Sequence, residues 1–260
     1  MKTDMYCYAP DGEALPLPED DVFEGWLDPA TTAIACVDMH RSHVGEDPDM
    51  PLPAPRATDR VPAHNRFHAI ARDLGVRVIM VQHWQRFGGT DDINSESVAG
   101  GTNWRHLEKI FMEDAEQERM NELGWEGTKW VDLMVEEDER DLYVRTKKRL
   151  SGFYPTDLEF LLHQLGVRNL VIDGTLTDCC VLNTAFDAAN RDFRVIVPRD
   201  VAAGLDADME NAAERVIAYH LGLIVDAPAL LREWSARVGV EPSSALQDAK
   251  TMDDLVAVPA

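Results

Sequence analysis

Six short apolar runs, most of them separated by a stretch with helical spacing, constrain this chain more than any other feature of its sequence. The first, Thr32-Ala-Ile-Ala-Cys-Val-Asp38, is continuous rather than alternating, as a strand buried on both faces is. Similar runs follow at 76–81, 142–146, 169–173, 194–197 and 221–225. Helical spacing fills 60–74, where Gly75 stops it, and a helix is expected from Pro155-Thr156-Asp157 to Gly166. Two more are expected at 180–190 and 208–220. Strands alternating with helices in this way predict an α/β fold of Rossmann-like type, a three-layer α/β/α sandwich around a mostly parallel six-stranded sheet.

At 260 residues the chain fits one such domain, 1–260, with three appendages. Residues 1–30, rich in Pro, Asp and Glu, read as an arm laid over the domain or a neighbouring subunit. Residues 85–135 fit neither period, yet Trp84, Trp104, Trp125 and Trp130 fall between 84 and 130, which suggests a cover over a pocket or an oligomer contact. The tail 238–260 is expected to pack on a partner or fray. Arms at both ends lead us to expect a homodimer or homotetramer.

Charge narrows the partners. There are 47 Asp+Glu against 25 Lys+Arg, a formal net charge of −22, and that field repels nucleic acid and anionic membranes alike. No apolar run approaches the roughly 18 residues of a membrane span, and the N-terminal residues lack the apolar core of a signal peptide. Cys7, Cys36, Cys179 and Cys180 show neither metal-ligand spacing nor a disulfide framework, so a cytoplasmic protein with reduced thiols and no cofactor is expected.

In an open parallel sheet the ligand crevice lies outside the C-terminal strand ends. Asp38, Lys147 and Cys180 all fall at such ends. Each alone has an ordinary structural explanation: Asp38 as a helix cap, Lys147 as part of a surface basic cluster, Cys180 as a small core residue. Their shared placement points to one site instead.

The motifs around them resemble those of the isochorismatase-like cysteine hydrolases over roughly residues 31–225. Gly174-Thr-Leu-Thr-Asp-Cys-Cys180-Val181 is similar to the family's Gly-x-x-Thr-x-x-Cys-Val nucleophile turn. Val37-Asp38-Met39 resembles its first-strand signature, and Lys147-Lys-Arg149-Leu-Ser151-Gly-Phe153 its Lys-x-Arg-x-Ser-x-Phe segment. The resemblance implies a triad of Asp38 as base, Lys147 as cationic partner and Cys180 as nucleophile. It also implies an oxyanion hole made by the N–H groups of Leu176 and Cys180, with a cis peptide between Thr175 and Leu176. Cys179 and Lys148 are the competing assignments, and the motif register favours Cys180 and Lys147. Since neighbours on a helix start diverge by about 100°, Cys179 is expected to pack away from the site.

Departures from the family pattern bear on substrate. The first-strand motif continues His40-Arg41-Ser42-His43 instead of Gln-Asn-Asp-Phe, and Gln82-His83-Trp84-Gln85 stands where nicotinamidases carry an Asp-x-His metal motif. No bound metal is expected, although His40, His43 and His83 could meet in the fold. The cysteine favours acyl transfer at a carbon–nitrogen bond over vinyl-ether cleavage. The stretch 151–156 resembles amidohydrolases acting on ureides and carbamoyl compounds, so a small-molecule amide or ureide is the expected substrate. His43, Trp84, Arg149 and Thr177 are candidate substrate contacts, Arg149 either clamping a carboxylate or holding its own turn. Two other readings stay open: a thiol redox or sensor protein using Cys179 and Cys180, and a non-catalytic acidic scaffold.

Overall fold

A computed structural model describes residues 5–18, 23, 25–91 and 103–257. The apolar runs become the strands β3 (Thr32–Val37), β4 (Arg77–His83), β5 (Leu142–Lys147), β6 (Asn169–Thr175), β7 (Arg194–Pro198) and β9 (Gly222–Val225), after an N-terminal hairpin of β1 (Tyr6–Tyr8) and β2 (Ala14–Pro16). The sheet runs β5-β4-β3-β6-β7-β9, and every pairing in it is parallel. A seventh strand, β8 (Ala202–Ala203), pairs with β6. Two residues are too few for any periodicity to register, so the sequence shows six strands where the sheet has seven.

All residues of β3 and β6 are buried, which explains the continuous apolar stretches 33–37 and 170–172 within them. In register, Cys36 faces Asp173 and Val37 faces Gly174. Gly174 has φ 104°, and a Cβ there would lie 2.1 Å from the Val37 carbonyl oxygen, so only glycine fits between these strand ends.

One face of the sheet is covered by α2 (Val61–Asp73) and α8 (Ala227–Val238), whose Phe67 and Trp234 rings stack at 6.1 Å. α2 follows α1 (Pro55–Asp59), carries a proline in its first turn and ends before Gly75 at φ 83°. Its buried face includes His64, Phe67, His68 and Ala71, the i, i+3, i+4, i+7 pattern of a helix against a sheet. The other face is covered by α5 (Leu158–Gln164), α6 (Leu182–Ala189) and α7 (Ala207–His220).

Over its described part the C-terminal tail is folded onto its own domain instead of fraying. It forms α9 (Ser244–Asp248) and α10 (Met252–Val256), and Leu246, Met252 and Leu255 are buried in the same core as α2 and α8. The Asp200 carboxylate accepts the N–H groups of Ala227 and Met252, both at 2.9 Å, and so ties the starts of α8 and α10 together. Two five-residue helices are too short to show a period, which is why the sequence reads as an extension. The described part of the N-terminal arm also lies on its own domain: Met5 and Leu17 are buried, and the Tyr8 hydroxyl donates to Asp226 at 2.9 Å. Between β4 and β5 the chain forms α3 (Asn103–Phe111) and α4 (Asp114–Met120), so the segment 85–135 is more helical than its sequence suggests. Among the described residues no helix is long and apolar enough to cross a membrane.

Candidate active site

Asp38 follows directly on β3 with φ 55°, a left-handed conformation that a short polar side chain tolerates better than most. Its carboxylate is fully buried, and Oδ1 accepts the His83 N–H at 2.7 Å at the end of β4. Oδ2 accepts from the Lys147 ammonium at 2.5 Å. Lys147 is the last residue of β5, is also fully buried, and places the same Nζ 3.3 Å from Cys180 Sγ. One ammonium therefore bridges a carboxylate from the β3 end and a thiol beyond the β6 end.

The electrostatics follow from this bridge. Burial opposes the charge on Asp38, yet Lys147, aided by His40, holds the carboxyl well below its usual range. Burial also opposes the charge on Lys147, and Asp38 together with Cys180 outweighs it, so the ammonium is held above the ordinary lysine range. The Cys180 thiol moves the other way: contact with the Cys179 thiol and burial push it well up, against the pull of Lys147. The resting site thus holds a buried Asp38–Lys147 ion pair in contact with the Cys180 thiol.

Cys180 lies in a π-helical turn, Thr177–Val181, that leads into α6. Such single turns recur at functional sites. The turn changes the expectation for Cys179, which lines the same cavity as Cys180 instead of packing wholly away from it. Adjacent side chains diverge less on the wider π turn than the α-helical angle implies. Only Cys180 is bonded to Lys147, however. The Thr175–Leu176 peptide is cis, and Leu176 lines the cavity while its carbonyl accepts the N–H groups of Cys179 and Val181 at 3.0 Å.

The cavity, about 30 Å³, is walled by Asp38, His43, His83, Lys147, Cys179 and Cys180, with Leu52, Met120, Leu123, Leu150 and Leu176 closing it. His40, His43 and His83 do meet here. His40 Nε2 is 3.7 Å from Asp38 Oδ1, and the His40 and His43 rings are 5.0 Å apart. Burial pushes His43 down to about 3 and His83 well below the usual histidine range, so both are neutral. His83 Nε2 donates to the Gln85 side-chain oxygen at 2.6 Å. Among the described residues one group of metal-type ligands, Cys36, His68 and Asp173, has its donor atoms within 4.8 Å of one another. It is buried on the α2 face of the sheet and does not line the cavity.

Of the candidate substrate contacts, His43 lines the cavity and Trp84, Arg149 and Thr177 do not. The Arg149 guanidinium donates to the carbonyls of Lys148 and Asp91, at 2.6 and 3.3 Å, and so holds its own turn. Lys148 pairs with Asp91 at 3.0 Å and with the Trp84 carbonyl. The Trp84 ring lies under the Arg145 guanidinium, and Thr177 is fully buried. Sequence reasoning missed His40 as a neighbour of Asp38 and missed the roof residues Leu52, Met120, Leu123 and Leu150. Nothing in isolated leucines or a methionine marks them before the fold brings them together.

Residues 32–228 match the model of one protein family, the isochorismatase domain. A ureidoacrylate amidohydrolase RutB of Methylorubrum extorquens is 29% identical over 200 residues, which is 74% of this chain and 79% of that protein. Another RutB, from Agrobacterium fabrum, is 28% identical over 193 residues, 72% of this chain and 82% of that one. Among solved structures, a cysteine hydrolase from Pseudomonas syringae pv. phaseolicola superposes with a TM-score of 0.68 at 22% identity, covering 81% of this chain and 95% of its own.

Proposed function

The chain belongs to the isochorismatase family of hydrolases, and from that premise and the site geometry we propose a cysteine-dependent amidohydrolase. It cleaves the carbon–nitrogen bond of a small amide or ureide through a thioester on Cys180. The observation that carries this reading is the single Lys147 ammonium shared by Asp38 and Cys180. The likeness to ureidoacrylate amidohydrolases over most of both chains supports the choice of bond.

Because Asp38 is held low and Cys180 high, a free thiolate is scarce at rest. Proton transfer from sulfur to Asp38 then accompanies attack, as the S–C bond forms and the carbonyl oxygen takes up charge. Lys147 stabilises the sulfur's developing charge, and the N–H groups of Leu176 and Cys180 would receive the oxyanion. The tetrahedral centre collapses as C–N breaks, and Asp38 returns its proton to the leaving nitrogen. Water, deprotonated by Asp38, then attacks the thioester; the C–S bond breaks and the proton returns to sulfur. The net reaction is amide plus water to carboxylate and ammonium, with no redox change.

The redox reading gives Asp38 and Lys147 no task, and the scaffold reading gives none to any of the three. Four free thiols fit a reducing compartment such as the cytoplasm. Self-association is proposed on the exposed Phe87, Ile110 and Phe111, which size-exclusion chromatography with light scattering checks. The function itself is tested by an ammonia-release screen over amides, ureides and carbamoyl amino acids, run beside Cys180→Ala. Turnover that survives in the variant overturns it.

A further inference from the structure

The roof and the charge distribution of the site bear on which amide it accepts. We propose that the cavity selects small, uncharged aliphatic carboxamides and rejects substrates that carry a carboxylate, an inference that rests on the hydrolase reading above.

The part of the substrate that does not react must lie against Leu52, Met120, Leu123 and Leu150, which together offer no hydrogen-bonding side chain. Met120 and Leu123 form a small apolar cluster of their own, with Leu52 and Leu150 packed on it. A carboxylate placed there would lose its hydration and find no partner among these four side chains. Among the described residues Lys147 is the one cation lining the cavity, and Asp38 already engages it at 2.5 Å. The neighbouring cations are turned elsewhere: Lys148 to Asp91 and the Trp84 carbonyl, Arg149 to two carbonyls. His43 and His83 are neutral and add no positive charge. The formal net charge of −22 repels an incoming anion before it reaches the site.

Size is limited by the same surface. A cavity of about 30 Å³ is far below the size of an ordinary small-molecule site, so the roof side chains must shift for a substrate to enter. Met120, unbranched and with three rotatable bonds, is the side chain best able to do so.

Two measurements separate this inference from the hydrolase reading. In the first, Cys180 is alkylated with neutral iodoacetamide and with anionic iodoacetate, in about 0.5 M salt to screen the overall charge. Each rate is followed by peptide mass spectrometry against Cys7 of the same molecule and against a free small thiol. The iodoacetamide-to-iodoacetate ratio at Cys180 should exceed that at Cys7 by roughly tenfold or more. Equal ratios, or a ratio favouring iodoacetate, overturn the selectivity.

In the second, ammonia release is compared for butyramide, isobutyramide and N-carbamoyl-β-alanine. The neutral amides should be the faster substrates, and Leu52→Arg, at a half-buried position, should raise the relative rate on the anion. Preference for the anion in the parent protein overturns the proposal. If neither these compounds nor any in the wider ammonia-release screen is hydrolysed although Cys180 still discriminates between the two reagents, the hydrolase reading fails while the pocket's selectivity stands.

Discussion

The Nζ of Lys147 lies 2.5 Å from Asp38 Oδ2, and both side chains are shut away from solvent. Removing the cation leaves a buried carboxylate unpaired, so Lys147→Met should lower stability by about 3–5 kcal/mol. Combining it with Asp38→Asn should recover part of that loss. Urea unfolding of the three variants checks this; a single variant as stable as the parent would contradict the pairing.

The same substitution should change the thiol. Lys147 pulls Cys180 down against burial, so its loss should move the pH profile of Cys180 alkylation upward. Lys148→Met should leave the profile in place, because Lys148 bonds to Asp91 and Trp84. A profile for the Lys147 variant that overlays the parent, with only KM raised, would make Lys147 a substrate-binding residue.

Cys180→Ala should reduce turnover by about four orders of magnitude or more, as loss of a nucleophile does. Cys179→Ala should retain most of the activity, since Lys147 contacts Cys180. Its thiol is drawn below the usual cysteine range by the contact with Cys180, however, so its removal should also shift the alkylation profile of Cys180. Activity lost in Cys179→Ala and kept in Cys180→Ala would reverse the two roles.

Chelation by EDTA should leave the rate unchanged. A thiol needs no metal-bound water, His83 Nε2 is engaged by Gln85, and the Gln82 amide donates to the Val131 carbonyl at 2.7 Å. Inactivation that added zinc or another divalent ion reverses would defeat the prediction.

Acid and base should act on stability with opposite signs at two carboxyls. Asp38 is held low, so its contribution is complete above the unfolded value near 4 and fades as pH falls towards its folded value. Asp200 is pushed up to about 6, chiefly by burial, so its contribution is full below about 4 and is lost as pH rises through about 6. Urea midpoints between pH 4 and 7 should therefore fall less steeply with rising pH in Asp200→Asn than in the parent. An unchanged slope would remove Asp200 as the source.

How much of this was legible beforehand differs by element. The buried strands announced themselves because a strand covered on both faces must be apolar throughout, and the carboxylate, ammonium and thiol stood at strand ends because the sheet opens there. β8 stayed hidden because two residues carry no period, and α9 and α10 because five-residue helices barely complete a turn. The cavity roof was illegible for another reason. Leu52, Met120, Leu123 and Leu150 come from separate stretches of chain, and an apolar residue acquires meaning only from what it faces. Cys179 was misjudged because the expected geometry was that of an α-helix, and the chain makes a π turn there.

Gly174 sits where the Val37 carbonyl leaves no space for a side chain. Asp38 follows Val37 in the chain, and the turn bearing Cys180 follows Gly174. The separation of the Asp38 carboxylate and the Cys180 thiol is therefore gauged by two backbones in direct contact, without an adjustable side chain between them. Any residue larger than glycine at this position acts as a shim, prising the carboxylate and the thiol apart while most of the core stays packed. Variation that retunes this enzyme for a new amide has free play in the roof and none at this joint.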